Sequence, residues 1–349
     1  MSQGNREKHK MENEKEDRKI LKNTALRLVE NNKGILAIDE SPASMEKKFA
    51  AVQIENTEEN RRRYREVLLT APVEIQKYLG GVILNEETFF QKDSAGELFT
   101  THMKKAEICI GVKLDKGLLP LNNDNTSQEK LSTGLDDLNE RCLRYRKGGA
   151  SFAKWRSVFT ICQDLPTEEC IFKNCNILAE YAMICQKNNL VPVVEPEVLF
   201  NGEHSAVQCE IVTAAVISCL FYHLNRKGAY IPGIILKVGF VTAGQERQRQ
   251  SLGDVANGTI QAFMASVPPA LPGVVFLSGG HPEDISVEYL KEANRVKRER
   301  NAPWAISYSF GRALQDSVLK LWANNDENKE KAQKLLVERA RICSEAVKG

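Results

Sequence analysis

The chain carries almost no net charge: 48 Lys and Arg stand against 46 Asp and Glu, leaving +2. Bulk charge therefore attracts neither nucleic acid nor an anionic membrane surface, and any basic site must be local. Histidine is scarce. The five present, His9, His102, His204, His223 and His281, show no HxH or HxxxH spacing; a zinc ion finds no clustered imidazoles, and no metal site is expected. Nine cysteines include no CxxC pair. An odd number, lying mostly in apolar segments such as those around Cys109, Cys185 and Cys219, reads as reduced thiols of a cytoplasmic protein, not as a disulfide framework. Neither GxGxxG nor GxxxxGKS/T occurs, which removes dinucleotide and P-loop sites. No apolar stretch approaches the roughly 20 residues that cross a bilayer, so no membrane span is expected. The first twenty residues mix both charge signs around no apolar centre, which excludes a secretory signal, and their acids argue against a transit peptide.

What remains is ordinary for a globular protein, with 42% hydrophobic and 27% charged residues in 349, enough chain for one large α/β domain. Short apolar runs alternate with longer amphipathic ones, as in repeated βα units. Strands are predicted near 34–39, 81–85, 108–114, 150–156, 191–197, 232–238, 273–278 and 303–308. Helices are predicted at about 57–70, with Asn56 as N-cap and Glu59 three residues on; from Pro166 and Thr167 to Lys187; and over Ser205 to Arg226, with Val207, Ile211, Ala215 and Leu220 as its apolar residues and Gly228 ending it. Eight strands separated by helices favour a single closed (β/α)8 TIM barrel over a doubly wound open sheet. Residues 1–19 read as a charged, flexible extension or the first turns of a helix, since Ile20, Leu21, Ala25, Leu28 and Val29 recur at helical spacing. The barrel domain would span 20–349.

Five of the apolar runs end on ionisable groups: GILAID on Asp39, ICIGVK on Lys113, ASFAKWR with Lys154 and Arg156, LVPVVEPE with Glu195 and Glu197, and IPGIILK on Lys237. Strand side chains alternate faces, so Lys154 pairs in direction with Arg156, and Glu195 with Glu197. One charge at a strand end only marks where the loop begins. Repetition of the layout suggests strand ends converging on one pocket, as at the carboxyl face of a β/α barrel. A lysine there is partly stripped of water, which lowers its pKa and frees the amine to attack a carbonyl. Lys237 is the candidate for that Schiff-base chemistry.

Phosphate has two candidate loci. FLSGG places Ser278, Gly279 and Gly280 after the seventh strand, and SYSFGR places Ser309, Gly311 and Arg312 after the eighth; the loops after strands seven and eight hold phosphate in many barrels. A turn and an isolated arginine read equally well from these residues. The second locus is Ser41, Ser44, Lys47 and Lys48, aided by Lys113, where a solvated basic first turn of a helix is the plain alternative.

The segments GILAIDES, ENTEENRRRYRE, GGVILNEET, GVKLDKG, GASFAKWR, VPVVEPE, ILK, FLSGG and SYSFGRALQ together resemble class I fructose-1,6-bisphosphate aldolase, over about residues 15–345. The resemblance implies a homotetrameric (β/α)8 barrel. It would cleave fructose 1,6-bisphosphate reversibly to dihydroxyacetone phosphate and glyceraldehyde 3-phosphate, with no metal and no cofactor. It further implies that Lys237 forms the Schiff base, that Glu195 is the acid/base with Glu197 as its hydrogen-bonded partner, and that Lys154 holds that pair and biases Lys237 toward the free amine. Repulsion between the two acids would keep one protonated. Asp39 would take the proton of the C4 hydroxyl. Ser278, Gly279, Ser309, Gly311 and Arg312 would hold the C1 phosphate; Ser41, Ser44 and Lys113, with added charge from Lys47, Lys48 and Arg156, would hold the C6 phosphate.

Three departures from the family pattern stand out. Lys48 stands where the family often has arginine, which keeps the charge and loses the bidentate fork. LKV replaces LKP at the Schiff-base lysine. The family's tail ends in tyrosine, whereas this chain ends Ser344-Glu345-Ala346-Val347-Lys348-Gly349, so slow enamine protonation with intact Schiff-base formation is expected. Two other function classes compete with this one. A zinc-dependent aldolase lacks its ligands here. A cytoplasmic scaffold binding actin or acidic peptides through the basic groove is compatible with the sequence, but would not need the acid/base set.

Overall fold

Aliphatic runs that meet a charge only at their last position form strands covered on both faces, because a barrel strand has side chains packed inside and helices outside. In the computed structural model, which describes residues 3–123 and 125–349, the strands are β1 (Gly34–Ile38), β2 (Leu79–Leu84), β3 (Cys109–Lys113), β4 (Leu118–Pro120), β5 (Lys130–Ser132), β6 (Phe152–Phe159), β7 (Val191–Val198), β8 (Ile235–Val238), β9 (Gly273–Phe276) and β10 (Ala305–Phe310). Eight close a parallel barrel in the order β1-β10-β9-β8-β7-β6-β3-β2, and β4 and β5 form a separate antiparallel hairpin. The sequence missed that hairpin, since strands of three residues carry no readable period. The eighth barrel strand starts at Ala305, two residues later than expected, after Pro303, which has no N–H to give a ladder.

The helices are α1 (Gln3–Val29), α2 (Pro42–Ala50), α3 (Glu58–Leu69), α4 (Glu86–Phe90), α5 (Phe99–Lys105), α6 (Leu138–Gly148), α7 (Glu168–Lys187), α8 (Ala206–Arg226), α9 (Leu252–Ser266), α10 (Glu283–Glu299), α11 (Arg312–Trp322) and α12 (Lys329–Val347). Thr57, not Asn56, caps α3: its hydroxyl accepts from the Asn60 amide, while the Asn56 side chain donates to the Pro42 carbonyl. Thr167 and Ser205 cap α7 and α8, the latter in a full capping box with Gln208.

The four apolar residues read along α8 do not all face inward. Val207 and Ile211 are 65% and 63% exposed, and the buried side is Cys209, Val216, Ile217, Leu220 and Phe221. This helix is apolar nearly all round, so of the four only Leu220 marks the buried stripe. Its 21 residues, with a stretch of mean hydropathy 1.5, are also long and apolar enough to cross a membrane by length and composition, contrary to the sequence expectation. Here that apolarity packs α8 onto β7 and between α7 and α9.

The barrel interior is filled, not hollow. Leu21, Ala25, Leu28 and Val29 of α1 close its amino end and join Ile35, Phe152, Val191, Val193, Ile235 and Val275 in one buried cluster. The Phe152 ring lies across the barrel over Gly111, where a Cβ would fall 2.3 Å from the ring. Helix α1 runs back through the charged segment to Gln3. With its lower half plugged, the barrel can hold a ligand only at the carboxyl end of its strands.

Candidate active site

Strand alternation carries the charged residues to that open end. Lys113 is level with Lys154 across the β3–β6 ladder, and Arg156 with Glu195 across β6–β7, so all four project into the barrel above the Phe152 and Val193 layer. With Asp39, Glu197, Lys237, Ser278, Gly279, Ser309, Gly311, Arg312, Ser41, Ser44 and Lys48 they line a cavity of about 280 Å³. Lys47 is not among them. On α2, Ser44 and Lys48 lie one turn apart on the inward side, and Lys47 is rotated about 100° away into solvent.

At the centre Lys237, 4% exposed, places its Nζ 3.2 Å from Glu195 Oε1. Lys154, equally buried, sits 2.7 Å from Glu195 Oε2 and donates to Asp39 Oδ2 at 3.0 Å. Burial alone would push the carboxyls up, but the neighbouring ammonium groups of Lys154 and Lys237 hold both Asp39 and Glu195 below the ordinary carboxylate range. Burial works against the Lys154 ammonium too, and Asp39, Glu195 and Asp115 outweigh it, raising Lys154 above a normal lysine.

The expected pairing of Glu195 with Glu197 is not what the side chains do. Glu197 accepts from the Arg156 guanidinium, and Glu195 is governed by cations. Repulsion between two acids therefore does not set its protonation. Arg156 sits further toward the mouth, where burial opposes its charge and Glu197 restores it.

The two ends of the cavity differ. At one, Gly279 and Gly280 adopt φ of 57° and 104°, a turn only glycine forms cheaply and one that leaves backbone amides uncovered. Ser309 Oγ, in a residue 1% exposed, has no hydrogen-bond partner among the described residues, and Ser278 is buried beside it. Nearby His281 is pushed down to about 4, by burial first and then by the charges of Arg249 and Arg312. At the other end Ser41 caps α2, accepting from the Ser44 amide at 3.3 Å, and the cations already have partners. Lys113 reaches Asp115 Oδ1 at 2.7 Å. Lys48 donates to Glu40, whose other oxygen accepts from the buried Arg65 at 2.9 Å. Burial raises Glu40, but Lys48 and Arg65 bring it to about 2. Sequence reasoning passed over Glu40, Asp115 and Arg65. All three stood in the quoted motifs, Glu40 beside Asp39, Arg65 within ENTEENRRRYRE, and Asp115 two residues after Lys113, where strand alternation puts it on the side of its lysine.

Away from the barrel mouth, the loop after α4 sets Asp93 and Glu97 against His102 of α5, with His102 Nε2 2.7 Å from Asp93 Oδ2. Scattered spacing hid this group, which has the chemistry of metal ligands. Its acids are already served by the Ala95 and Glu97 amides, by His102 and by Lys105.

A family model of class I fructose-bisphosphate aldolase matches residues 20–349. The chain belongs to the class I fructose-bisphosphate aldolase family. It is 46% identical to a fructose-bisphosphate aldolase of Encephalitozoon cuniculi over 90% of this chain and 91% of that one. It is 43% identical to fructose-bisphosphate aldolase B of Bos taurus over 96% and 91%. A solved structure of the Plasmodium falciparum enzyme, in complex with TRAP and a small molecule inhibitor, superposes with a TM-score of 0.91 at 43% identity over 95% of each chain. The enzyme is thus a fructose-bisphosphate aldolase, a carbon–carbon lyase on a TIM barrel.

Proposed function

We propose that Lys237 carries the reaction as a Schiff base with the ketose carbonyl. The observation that supports this is a buried amine 3.2 Å from a carboxylate that is itself held by a second ammonium group. Lys237 passes a proton to Glu195 Oε1 and attacks C2. Once Lys237 is uncharged, one of the three cations depressing Glu195 is gone, and the carboxyl holds its proton more firmly. Glu195 returns that proton to the carbinolamine hydroxyl, which leaves as water. The iminium then accepts the C3–C4 bonding electrons while Asp39, kept ionised by Lys154, takes the C4 hydroxyl proton. Glyceraldehyde 3-phosphate departs, the enamine is protonated at C3, and hydrolysis releases dihydroxyacetone phosphate and Lys237.

The unpartnered end, with Ser278, Gly279, Ser309, Gly311 and Arg312, takes the C1 phosphate. The end with Ser41, Ser44, Lys48 and Lys113 takes the C6 phosphate, and Arg156 stands between with its charge shared with Glu197. Lys47 contributes charge to the approach only. Borohydride reduction in the presence of dihydroxyacetone phosphate, followed by peptide mass mapping, tests the reading. An adduct on Lys237, absent in Lys237→Met, is expected, and an adduct elsewhere sinks it.

In keeping with the family, we place the enzyme in the cytoplasm, which its nine free cysteines support, and as a homotetramer, for which exposed Leu143, Phe172, Val207 and Ile211 on α6 to α8 offer apolar surface. Residues 1–19 form the segment preceding the catalytic domain. A second reading, capture of actin or of an acidic peptide at the same mouth, is supported by exposed Lys47 and Arg312 and by the TRAP complex of the Plasmodium enzyme.

A further inference from the structure

We infer that Glu40 and Asp115 are specificity-determining residues: they tax the binding of a 6-phosphate and so govern the choice between ketose 1,6-bisphosphates and ketose 1-phosphates. This rests on the assignment of the two cavity ends made above.

The asymmetry lies in the ion pairs. Each lysine at the C6 end carries a carboxylate. Lys113 Nζ is clamped by Asp115 twice, at 2.7 Å to Oδ1 and 2.6 Å to the backbone carbonyl. Lys48 is held by Glu40, which Arg65 and the Gln315 amide fix in place. Asp115 is itself anchored, accepting from the Arg156 amide at 3.3 Å. At the C1 end Arg312 forms no ion pair with any described residue; Asp316 lies close enough to both Arg312 and Lys48 to feel their charges, but it pairs with neither.

A phosphate arriving at the C1 end therefore meets a free guanidinium and an orphaned hydroxyl. One arriving at the C6 end must displace Asp115 from Lys113 and Glu40 from Lys48, or share those cations with them. Its net gain is the difference between a lysine–phosphate and a lysine–carboxylate contact. That difference is small, because both anions suit an ammonium donor. The 1-phosphate binds on its full strength and the 6-phosphate on a surplus.

The test is the ratio of kcat/KM for fructose 1,6-bisphosphate to that for fructose 1-phosphate, measured on the full chain and on Asp115→Asn and Glu40→Gln. Each amide keeps the shape and removes the competing charge. The ratio is expected to rise about three- to fivefold in each variant, through KM for the bisphosphate, the scale of a partly exposed ion pair. A general loss of structure or of chemistry would lower both substrates together and leave the ratio where it was. Glu40→Gln strips the buried Arg65 of its carboxylate; if that variant does not fold, Asp115→Asn decides alone. Borohydride trapping with dihydroxyacetone phosphate is run on the same preparations. An intact Lys237 adduct with an unchanged ratio overturns this inference and leaves the Schiff-base reading standing. Absence of the adduct in the unaltered chain overturns both.

Discussion

Glu195 receives an ammonium group on each of its oxygens, Lys237 on Oε1 at 3.2 Å and Lys154 on Oε2 at 2.7 Å. One carboxylate thereby couples the candidate nucleophile to the cation that also holds Asp39 ionised, so the proton state of each is felt by the other two. Glu195→Gln keeps the shape and most contacts but can neither take nor return a proton. Its kcat is expected to fall by about 10²- to 10⁴-fold, the usual worth of a positioned acid/base. Steady-state kinetics check this, and a loss under tenfold would show that another group moves the proton.

The second prediction concerns acid stability. Glu40 titrates near 4.5 when unfolded and about 2 in the folded chain, because Lys48 and Arg65 outweigh the burial that pushes it up. A folded value below the unfolded one means that its stabilisation is complete above pH 4.5 and is lost as the pH falls toward 2. Over that window Glu40 alone removes roughly 3 kcal/mol. Lys154, raised above its ordinary 10.5 by Asp39, Glu195 and Asp115 despite burial, acts in the opposite sense. Its contribution is complete below pH 10.5 and is lost as the pH rises further. Urea melts across pH 2 to 7 should show a steep acid limb, shallower in Glu40→Gln, which starts lower at pH 7 because Arg65 and Lys48 have lost their acid. An identical acid slope in both proteins refutes the assignment.

Chelators provide the third. The residues lining the cavity supply lysines, carboxylates, serines and arginines but no histidine or cysteine, a donor set unsuited to a zinc ion. The proposed electron sink is an iminium. Dialysis against EDTA or 1,10-phenanthroline is expected to leave kcat unchanged; a loss restored by added zinc would refute the metal-independent mechanism.

The barrel and most of the pocket were legible because a buried parallel strand must be apolar until it leaves the core. A charge at or beside its carboxyl end is then conspicuous, as with Asp39, Lys113 and Lys237. What the sequence concealed were partnerships. Glu197 lies two residues from Glu195 and on the same face, yet pairs across the ladder with Arg156, since an opposite charge within reach outcompetes a like one. Lys47 and Lys48 are neighbours in the sequence that a helix separates by about 100°, so only one can face the cavity. Glu40 and Asp115 read as loop acids because nothing local tells which lysine they will meet. Asp93, Glu97 and His102 come together only because the chain folds back between residues 92 and 98, with Lys92 bridged to Leu98.

The last prediction ties the barrel's filling to its chemistry. Gly111 faces the interior two residues below Lys113, and the Phe152 ring occupies the space a side chain there would need, 2.3 Å from an added Cβ. Phe152 is fully buried among Leu28, Ile83 and Cys109, so it has nowhere to retreat. Gly111→Ala must therefore shift β3 or rotate the ring against α1, an overpacking that costs about 1–3 kcal/mol. A shift of β3 moves Lys113 along the β6 ladder, where it now sits level with Lys154. The variant is expected to melt roughly 1–4 °C lower and to lose affinity for fructose 1,6-bisphosphate more than for fructose 1-phosphate. Pairing the change with Phe152→Leu should recover much of the melting temperature, since the smaller side chain vacates the ring's edge. Failure of that rescue, with Gly111→Ala alone destabilised, would place the clash elsewhere than at Phe152.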